Sequence, residues 1–414
     1  MQSWCWRRRR ARHIRREAHT GVDEDRLWKH LRYLCEEIGP RLSGTPADEK
    51  SVSYIAGQFR RAGAHVTVQD FPCPAWEHDG TDLTIRDGAG RLALGAVAQT
   101  FTEGCDVEAE LAVVGTRHDL EFRPDLEGRI LVLYAEAAEE LMLNRNVGLL
   151  AIEERRPAAA IVVAAVEDVS RKLVRDPFLR VSLAAVPASV GRVLLEKQGT
   201  RAHLAIHARR YDSTAHNVIG HFPGREKEHV VIGAHYDTAA GTTGAVDDGS
   251  GTAVLLELSQ VLGAAGRRRY GIDLVAFGAE EYGRHVRALG SVEYVRRHAG
   301  AALSARAMIQ IDSVGARGSL PVVHLMGWQQ EQKDGVVRVL RRFPRYSVDE
   351  ESVGGSDHVP FHLHGVPVMA FMNDYRDIPI HTPRDAMDLM DPAELAMSAN
   401  AVEAVARHCA GMAD

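Results

Sequence analysis

The sequence has few cysteines and no long apolar run, and these absences exclude several classes of protein. Its 414 residues include five cysteines, none of them in a CxxC pair. An odd number of cysteines in a long chain argues against a disulfide framework and suggests a reducing compartment. No apolar run approaches the roughly 20 residues that a membrane-spanning helix needs. We therefore expect neither a disulfide-rich secreted domain nor an integral membrane protein.

The chain also lacks a strong excess of charge of either sign. The formal net charge is -6, and 45% of the residues are hydrophobic and 26% charged, as in ordinary globular proteins. Neither general disorder nor global attraction to nucleic acid is indicated. The exception is the arginine-rich start, residues 1–21, which we expect to be a disordered arm without a function. No apolar stretch of roughly 7 to 15 residues follows its charges, so no secretion signal is readable and a cytoplasmic location is expected.

The length of the chain exceeds that of a usual single domain and predicts a large domain with an insert. From Asn217 onward, apolar strands alternate with amphipathic helices, which is typical of a largely parallel sheet with helices on both faces. Residues 95–208 consist instead of short strand-like pieces around a helical stretch. We predict a three-layer α/β/α sandwich around a largely parallel mixed sheet, formed by residues 22–94 and 209–414. A smaller β-rich inserted domain would occupy 95–208.

Local signals predict where several helices and a strand begin. Thr45 and Asp391 each precede a proline, and this pattern is typical of a capping residue followed by the first helical position. Ser250 is expected to cap the helix that follows the acidic loop near residue 248. Residues His65 to Phe71 alternate between polar and apolar side chains, which predicts a strand.

Acidic residues and a histidine follow three predicted strands, at the point where each strand ends. These strands and the residues after them are Val230 to Gly233 with His235, Ile272 to Phe277 with Glu280 and Glu281, and Met308 to Ile311 with Asp312. Because open α/β sheets bind ligands at the carboxyl ends of their strands, we expect these side chains to lie together. A glycine-rich loop brings Asp247 near the first of them, since glycines allow a sharp turn into a helix. His381 lies in a loop near the carboxy terminus.

These residue types suit zinc, which accepts imidazole nitrogen and carboxylate oxygen. One carboxylate can bridge two ions about 3.5 to 4 Å apart, and a water that both ions bind and acidify can then attack a carbonyl. A carboxylate that binds neither ion can accept the proton from this water and return it. Taken singly, the residues have ordinary structural explanations, since a lone histidine is usually a satisfied surface or core residue and Asp247 could cap a helix. Their shared edge after strongly apolar strands, where an unpaired charge is costly, favours a metal site.

Six motifs follow one another along the chain in a specific order. They are AHYDT at 234–238, DDGSG at 247–251, FGAEEYG at 277–283, IDSVG at 311–315, SDHVPF at 356–361 and IHTPRD at 380–385. This order and spacing resemble the zinc peptidase family that includes bacterial leucyl aminopeptidases, aminopeptidase Y and glutamate carboxypeptidases. The resemblance covers most of the chain after the arginine-rich arm.

The resemblance implies a role for each residue at the predicted edge. The implied ligands are His235 and Asp312 for one zinc ion, Glu281 and His381 for the other, and Asp247 bridging both. Glu280 would be the general base. In the family the peptide bond after the bridging aspartate is often cis, which implies a cis bond between Asp247 and Asp248.

Two further acids have less specific implied roles. Asp237 resembles the family's residue that orients the first histidine, and a ligating imidazole does need an outer carboxylate or carbonyl partner. Asp237 fits equally well as a strand-end cap. Asp357 would anchor the ammonium group of a substrate or, equally, hold His358 in place.

The middle segment resembles a second family of domains, and one loop position departs from the peptidase pattern. Residues 125–132 and the strand ending at Val186 resemble a protease-associated domain, which would shield or shape the substrate entrance. The chain departs from the family at Ile380, where many relatives carry an aromatic residue. Isoleucine cannot donate the hydrogen bond that would stabilise a developing oxyanion. Tyr282 or Tyr375 could supply the missing hydroxyl.

The implied protein is a metallopeptidase that uses a water activated by two zinc ions per chain and releases amino-terminal residues from peptides. We expect a peptide substrate and neither nucleic acid nor a membrane as a partner, and the sequence does not indicate the oligomeric state. The alternatives are a single-zinc glutaminyl cyclase, a carboxypeptidase and a noncatalytic binding relative. The complete ligand set disfavours the cyclase and the binding relative, whereas spacing does not distinguish amino-terminal from carboxy-terminal cleavage.

Overall fold

The computed structural model describes residues 21–88, 90–143, 145–174, 176, 178, 180–282, 289–302, 304–352, 355–374 and 378–412. The arginine-rich arm lies outside these residues except for its last position. Across the described ranges, no helix is both long enough and apolar enough to cross a membrane.

Helices and strands alternate along most of the chain. The helices are α1 Glu24–Arg32, α2 Pro46–Arg61, α3 Arg117–Phe122, α4 Ala135–Leu143, α5 Arg145–Glu154, α6 Ala188–Glu196, α7 Ser250–Ala264, α8 Leu289–Arg297, α9 Ala299–Ala302, α10 Gln330–Leu340, α11 His358–Leu363 and α12 Pro392–Cys409. The strands are β1 His65–Asp87, β2 Gly90–Leu94, β3 Val97–Ala98, β4 Cys105–Val114, β5 Ile130–Leu133, β6 Ala159–Val163, β7 Leu183–Val186, β8 Arg201–Phe222, β9 His229–His235, β10 Gly271–Phe277, β11 Ala307–Ile311, β12 Pro321–Met326, β13 Ser347–Asp349 and β14 Val368–Asn373. Wider π-helical turns occupy Tyr33–Ile38 and Ala245–Gly249, and a 3-10 turn occupies Met387–Leu389.

The main sheet is mixed and has a parallel centre. Its strands lie in the order β13, β12, β14, β11, β9, β10, β8, and β1 pairs with β8 at the end of the row. The central strands β14, β11, β9 and β10 run parallel, whereas β12 and β8 run antiparallel to their central neighbours. Phe277, the last residue of β10, pairs with His235, the last residue of β9. The segments that follow these two strands therefore begin side by side.

Helices cover both faces of the main sheet. Leu31 of α1 and Val402 of α12 pack with Ile232 of β9 in the core of one face. Tyr294 of α8 packs with Val231, the neighbouring residue on the same strand, in the core of the other face. Neighbouring strand residues point to opposite faces, and here both are fully buried because both faces are covered. The predicted three-layer sandwich is confirmed.

A smaller group of strands continues from the main sheet. The long strand β8 pairs with β10 through one end and with β4 through the other. From β4 the sheet continues through parallel β5, β6 and β7, and Leu120, Leu141 and Ile152 of α3, α4 and α5 pack in its core. These elements lie within the residues predicted to form the smaller insert. Because β1 and β8 run through both parts, the domain limits at residues 94 and 208 stay predictions.

The helix caps agree with the sequence at two of the three predicted positions. Thr45 and Asp391 each accept a hydrogen bond from a backbone N–H of the first turn, so both caps are confirmed. The cap predicted at Ser250 is wrong. Ser250 is the first residue of α7, and its hydroxyl donates backward to the carbonyl of Val246 at 2.8 Å. The carboxylate of Asp248 accepts from the first turn instead, and a charged acceptor makes the stronger hydrogen bond.

Candidate metal centre

The strand-end residues meet around the carboxylate of Asp247. Nε2 of His235 lies 3.0 Å from Oδ1 of Asp247, and Nε2 of His381 lies 2.6 Å from Oδ2. Each oxygen of this carboxylate therefore faces a different imidazole. Asp247 is 5% exposed and His235 is 1% exposed, so the contact is made almost without solvent.

Two sets of three side chains could each hold a metal ion, with one potential ligand atom from each residue and these atoms within 4.8 Å of one another. The sets are His235, Asp248 and Asp312, and Asp247, Glu281 and His381. Because Asp247 also contacts His235, the two sets meet at its carboxylate. The structure thus brings together every predicted ligand, and it adds Asp248, which the predicted ligand set does not contain.

Neighbouring elements hold the two adjacent aspartates of the loop in place. The carboxylate of Asp385 accepts hydrogen bonds from the N–H groups of Val246 and Asp247, at 2.7 and 3.2 Å. Oδ1 of Asp248 accepts from the N–H of Ser313, just after β11, at 3.0 Å. The peptide bond between Asp247 and Asp248 is cis, as the resemblance implies. The loop after β9 is therefore tied both to the loop of His381 and to the end of β11.

Asp237 connects the first histidine with the glutamate pair. Its Oδ1 accepts from the N–H of Glu280 at 3.1 Å and its Oδ2 from the N–H of Glu281 at 3.2 Å. Its backbone oxygen lies 3.2 Å from Nδ1 of His235. A proton on Nδ1 would point at Asp237 and leave the Nε2 lone pair facing Asp247. Asp237 thus has the contacts expected of a residue that orients His235.

The electrostatics of the cluster favour a bound cation. Burial raises the pKa of Asp248, and the charge of Asp312 raises it further. Burial also opposes charge on Asp247, but its contacts with His381 and His235 outweigh this effect and lower its pKa. One oxygen of Asp248 is buried and has no hydrogen-bond partner among the residues that the structure describes. Acids packed this densely need compensating positive charge, so the residues present fit a metal ion.

Lys172, from the insert, reaches into the second set. Its Nζ contacts the carboxylate of Glu281, lies 2.9 Å from Nε2 of His381 and lies 3.9 Å from Oε2 of Glu280. Its side chain is 5% exposed. Local sequence patterns do not identify this residue, because it belongs to no motif and reaches the cluster only through tertiary packing. The only available signal is its position in a basic pair within the insert.

Residues 168–172, which we call the strap, fix the insert to the loop of His381. Asp168 forms an ion pair with Arg384. The hydroxyl of Ser170 donates to the backbone carbonyl of His381 at 2.9 Å. Together with the contact of Lys172, these bonds hold the insert against the loop of His381.

Two further predicted residues, Asp357 and Tyr282, are buried. Asp357 is fully buried, and burial together with the charge of Glu280 raises its pKa well above the ordinary range. The hydroxyl of Tyr282 donates to the carbonyl of Ser43 at 2.8 Å inside the core. Because this hydroxyl is already engaged, Tyr282 does not supply the group that is missing at position 380. Tyr375 lies outside the described residues.

The fold and the cluster together define a class of protein. Two adjacent sets of imidazole and carboxylate side chains lie at the carboxyl ends of parallel strands, beside a glutamate that belongs to neither set. An open α/β sheet with such a site is that of a metal-dependent hydrolase. Residues 217–406 match the profile of Peptidase family M28, in agreement with the resemblance read from the motifs.

Individual relatives agree with this assignment. The chain is 27% identical over 392 residues to aminopeptidase YwaD of Bacillus subtilis (strain 168), covering 90% of this chain and 81% of that protein. It is 25% identical over 283 residues to carboxypeptidase Q of Bos taurus, covering 63% of this chain and 60% of that protein. The solved structure of a zinc aminopeptidase from Bacillus subtilis has a TM-score of 0.75 at 23% identity, with 94% of this chain and 95% of that chain covered. This last likeness establishes the shared fold.

Proposed function

We propose that the chain is a two-zinc exopeptidase that releases amino-terminal residues from peptides. The observation that carries this proposal is the carboxylate of Asp247, whose two oxygens face His235 and His381. A carboxylate in this position can serve both halves of a two-metal site. The match to an aminopeptidase over 90% of the chain supports the choice of substrate and of cleaved end.

The proposed ligand set contains only imidazole and carboxylate groups, which zinc accepts. His235 and Asp312 would hold one ion, Glu281 and His381 the other, and Asp247 would bridge them. Asp248 lies beside the first ion's ligands, but one of its oxygens already caps α7 and accepts from Ser313. We therefore assign Asp248 a supporting role and keep Asp247 as the bridge.

Glu280 is the proposed general base. When bound, the two zinc ions would polarise the scissile carbonyl and acidify a shared water. Glu280 belongs to neither ligand set, is 8% exposed, and has its backbone held by Asp237. A free carboxylate in this position can take a proton from the attacking water and return it to the leaving amine.

Lys172 and the second metal ion exclude each other at His381. Nε2 of His381, which lies 2.9 Å from the ammonium of Lys172 and 2.6 Å from Oδ2 of Asp247, is also the atom that would ligate the metal. Lys172 must therefore leave His381 before the second ion binds. The contact with Glu281 is lost in the same step, because that carboxylate also belongs to the second set.

The finer predictions from the sequence have unequal support. Asp357 is completely buried, and both of its proposed roles, anchoring a substrate ammonium and holding His358 in place, stay predictions. The contacts of the strap support an insert that shapes the entrance, as a protease-associated domain would. The cytoplasmic location stays a prediction.

Two alternative activities, carboxypeptidase and glutaminyl cyclase, would each give a different reaction product. The relative named carboxypeptidase Q keeps carboxy-terminal cleavage as the second candidate. A glutaminyl cyclase needs one zinc ion, so the second ligand set disfavours it.

The test is a panel of peptides with free or acetylated amino termini, assayed with and without added zinc. We expect zinc-dependent release of amino-terminal residues that acetylation abolishes. Cleavage of acetylated peptides alone would point to a carboxypeptidase, and cyclisation of an amino-terminal glutamine without hydrolysis would point to the cyclase.

A further inference from the structure

A cleft with an excess of positive charge lies beside the metal centre. Its volume is about 480 Å³, within the range of small-ligand pockets. Lys50, His78 and Arg171 line it, together with the aromatic ring of Trp76. None of the lining residues in the described part of the chain is acidic. The metal centre is rich in acids, so the two neighbouring sites have opposite character.

Two walls of the cleft connect directly to the proposed ligands. Ala240, in one wall, follows Ala239, whose N–H donates to Glu281 at 3.1 Å. Arg171, which also lines the cleft, precedes Lys172, whose Nζ contacts the same glutamate. The same two segments, 239–240 and 171–172, therefore contribute both to the surroundings of Glu281 and to the lining of the cleft.

The guanidinium of Arg171 has a neutral hydrogen-bond partner. Its Nη1 lies 3.1 Å from Nδ1 of His78, and Nε2 of the same imidazole lies 2.8 Å from the hydroxyl of Thr81. The arrangement satisfies every group when His78 is neutral, donates through Nε2 and accepts through Nδ1. The His78 ring also stacks on Trp76, with centroids 5.3 Å apart and planes 13° apart, so its orientation is fixed.

The positive charge of Arg171 is not balanced by a nearby acid. The side chain is partly buried, and burial lowers its pKa. Among the residues that the structure describes, no carboxylate forms an ion pair with it, whereas Arg384 beside the strap is paired with Asp168. Placing a charge away from water is costly unless an opposite charge comes near. Arginine is also the residue best suited to bind a carboxylate through two parallel hydrogen bonds.

The loop opposite Arg171 leaves the guanidinium little freedom. Gly241 has a φ of +78°, and a Cβ at this position would lie 2.9 Å from Nε of Arg171. A side chain at position 241 would therefore force the guanidinium to move. The close approach of glycine and the contact with His78 hold the guanidinium at the wall of the cleft.

We infer that this cleft binds the terminal carboxylate of a short peptide, through Arg171 with Lys50 as a second cation. The inference rests on the proposed function and names its substrate class, which is dipeptides and similarly short peptides with a free carboxy terminus. The planar pair of Trp76 and His78 forms the wall along which the residue carrying that carboxylate lies.

The experiment compares kcat/KM for leucyl-leucine and for leucyl-leucinamide in the zinc-loaded wild type and in Arg171→Met. We expect the wild type to prefer the free acid. In Arg171→Met the ratio of acid to amide should fall by about 10- to 100-fold, mainly through KM, because a charge-assisted contact is lost. Arg192→Met, the same change at an exposed residue of the insert, should leave the ratio unchanged.

Arg171→Lys keeps the charge but not the paired hydrogen bonds, and its ratio should lie between those of the wild type and Arg171→Met. Continued hydrolysis of the amide shows that each variant is folded. An unchanged ratio in Arg171→Met, or equal losses for acid and amide, would overturn the inference.

A third substrate, leucyl-glutamyl amide, distinguishes the two sources of a carboxylate. If Arg171→Met impairs cleavage of this amide but not of leucyl-leucine, the cleft binds an acidic side chain and the assignment to the terminal carboxylate is wrong. If the wild type cleaves none of the three substrates, the proposed function has failed, which is a different result from an unaltered preference.

Discussion

The two ligand sets of the metal centre are built in different ways. His235 and Asp312 follow the adjacent parallel strands β9 and β11, and both are buried by the main domain. His381 lies in a loop, and its side chain is 25% exposed. Lys172 and Ser170 of the insert contact it. The main sheet therefore places His235 and Asp312, whereas His381 also contacts the insert.

The largest expected effect concerns the adjacent glutamates, of which Glu280 is the proposed general base and Glu281 a proposed ligand of the second zinc ion. Glu280→Gln should keep both metal sites and reduce kcat by about 10² to 10⁴, because glutamine cannot take up the proton. Glu281→Gln is the matched control, and it should lose metal from the second set only. Metal analysis and peptide hydrolysis check both variants. Near-normal turnover in Glu280→Gln would show that the base lies elsewhere.

A smaller effect is expected where the insert meets the second set. Lys172→Met should strengthen binding of the second zinc ion by about tenfold and leave the first unchanged, because methionine cannot compete for His381 and Glu281. Zinc titration by calorimetry checks this. Lys197→Met, which removes an exposed lysine paired with Asp87, is the control. If Lys172→Met binds the second zinc ion as tightly as the wild type or more weakly, Lys172 does not compete with that ion for His381 and Glu281.

The smallest effect concerns a part of the main domain that touches neither set. His30 in α1 contacts the hydroxyl of Tyr54, and burial lowers its pKa to about 4. Because this folded-state pKa lies below the ordinary value near 6.5, the stability from neutral His30 is lost as the pH falls from about 6.5 towards 4. His30→Leu should remove about 2 kcal/mol of this pH dependence.

Urea denaturation of the metal-free protein at pH 7 and pH 4.5 measures this difference. The zinc affinities of His30→Leu at pH 7 should equal those of the wild type. A changed zinc affinity in His30→Leu would mean that α1 also influences the geometry of the ligand sets.

The parts of the site that follow strands could be predicted from local sequence. Apolar strands followed directly by His235, Glu281 and Asp312 indicate a shared edge, because parallel strands end together. His381 lies in a loop some way beyond β14, and only the family resemblance implies its role as a ligand. Lys172 and Arg171 could not be predicted, because only tertiary packing of the strap brings Lys172 to the metal centre and Arg171 to the neighbouring cleft.

The fold shows the same division between local and long-range information. The strand predicted at 65–71 continues to Asp87 as β1. Pro72 and Pro74 interrupt the sequence pattern, which favours an end to the strand. Over these prolines β1 pairs only with β8, so it is an edge strand there and a missing N–H on the open side is tolerated. Similarly, Ser250 looks like a cap in sequence, whereas the buried carboxylate of Asp248 fills that position.

The central claim is that the carboxylate of Asp247 joins two metal sites, and zinc titration of the wild type and Asp247→Asn by calorimetry tests it most directly. We predict two zinc ions per wild-type chain. In the variant, affinity should fall at both sites by at least about tenfold, because a neutral amide bridges cations poorly. One zinc ion per wild-type chain, or a variant that weakens only one of two sites, would contradict the account.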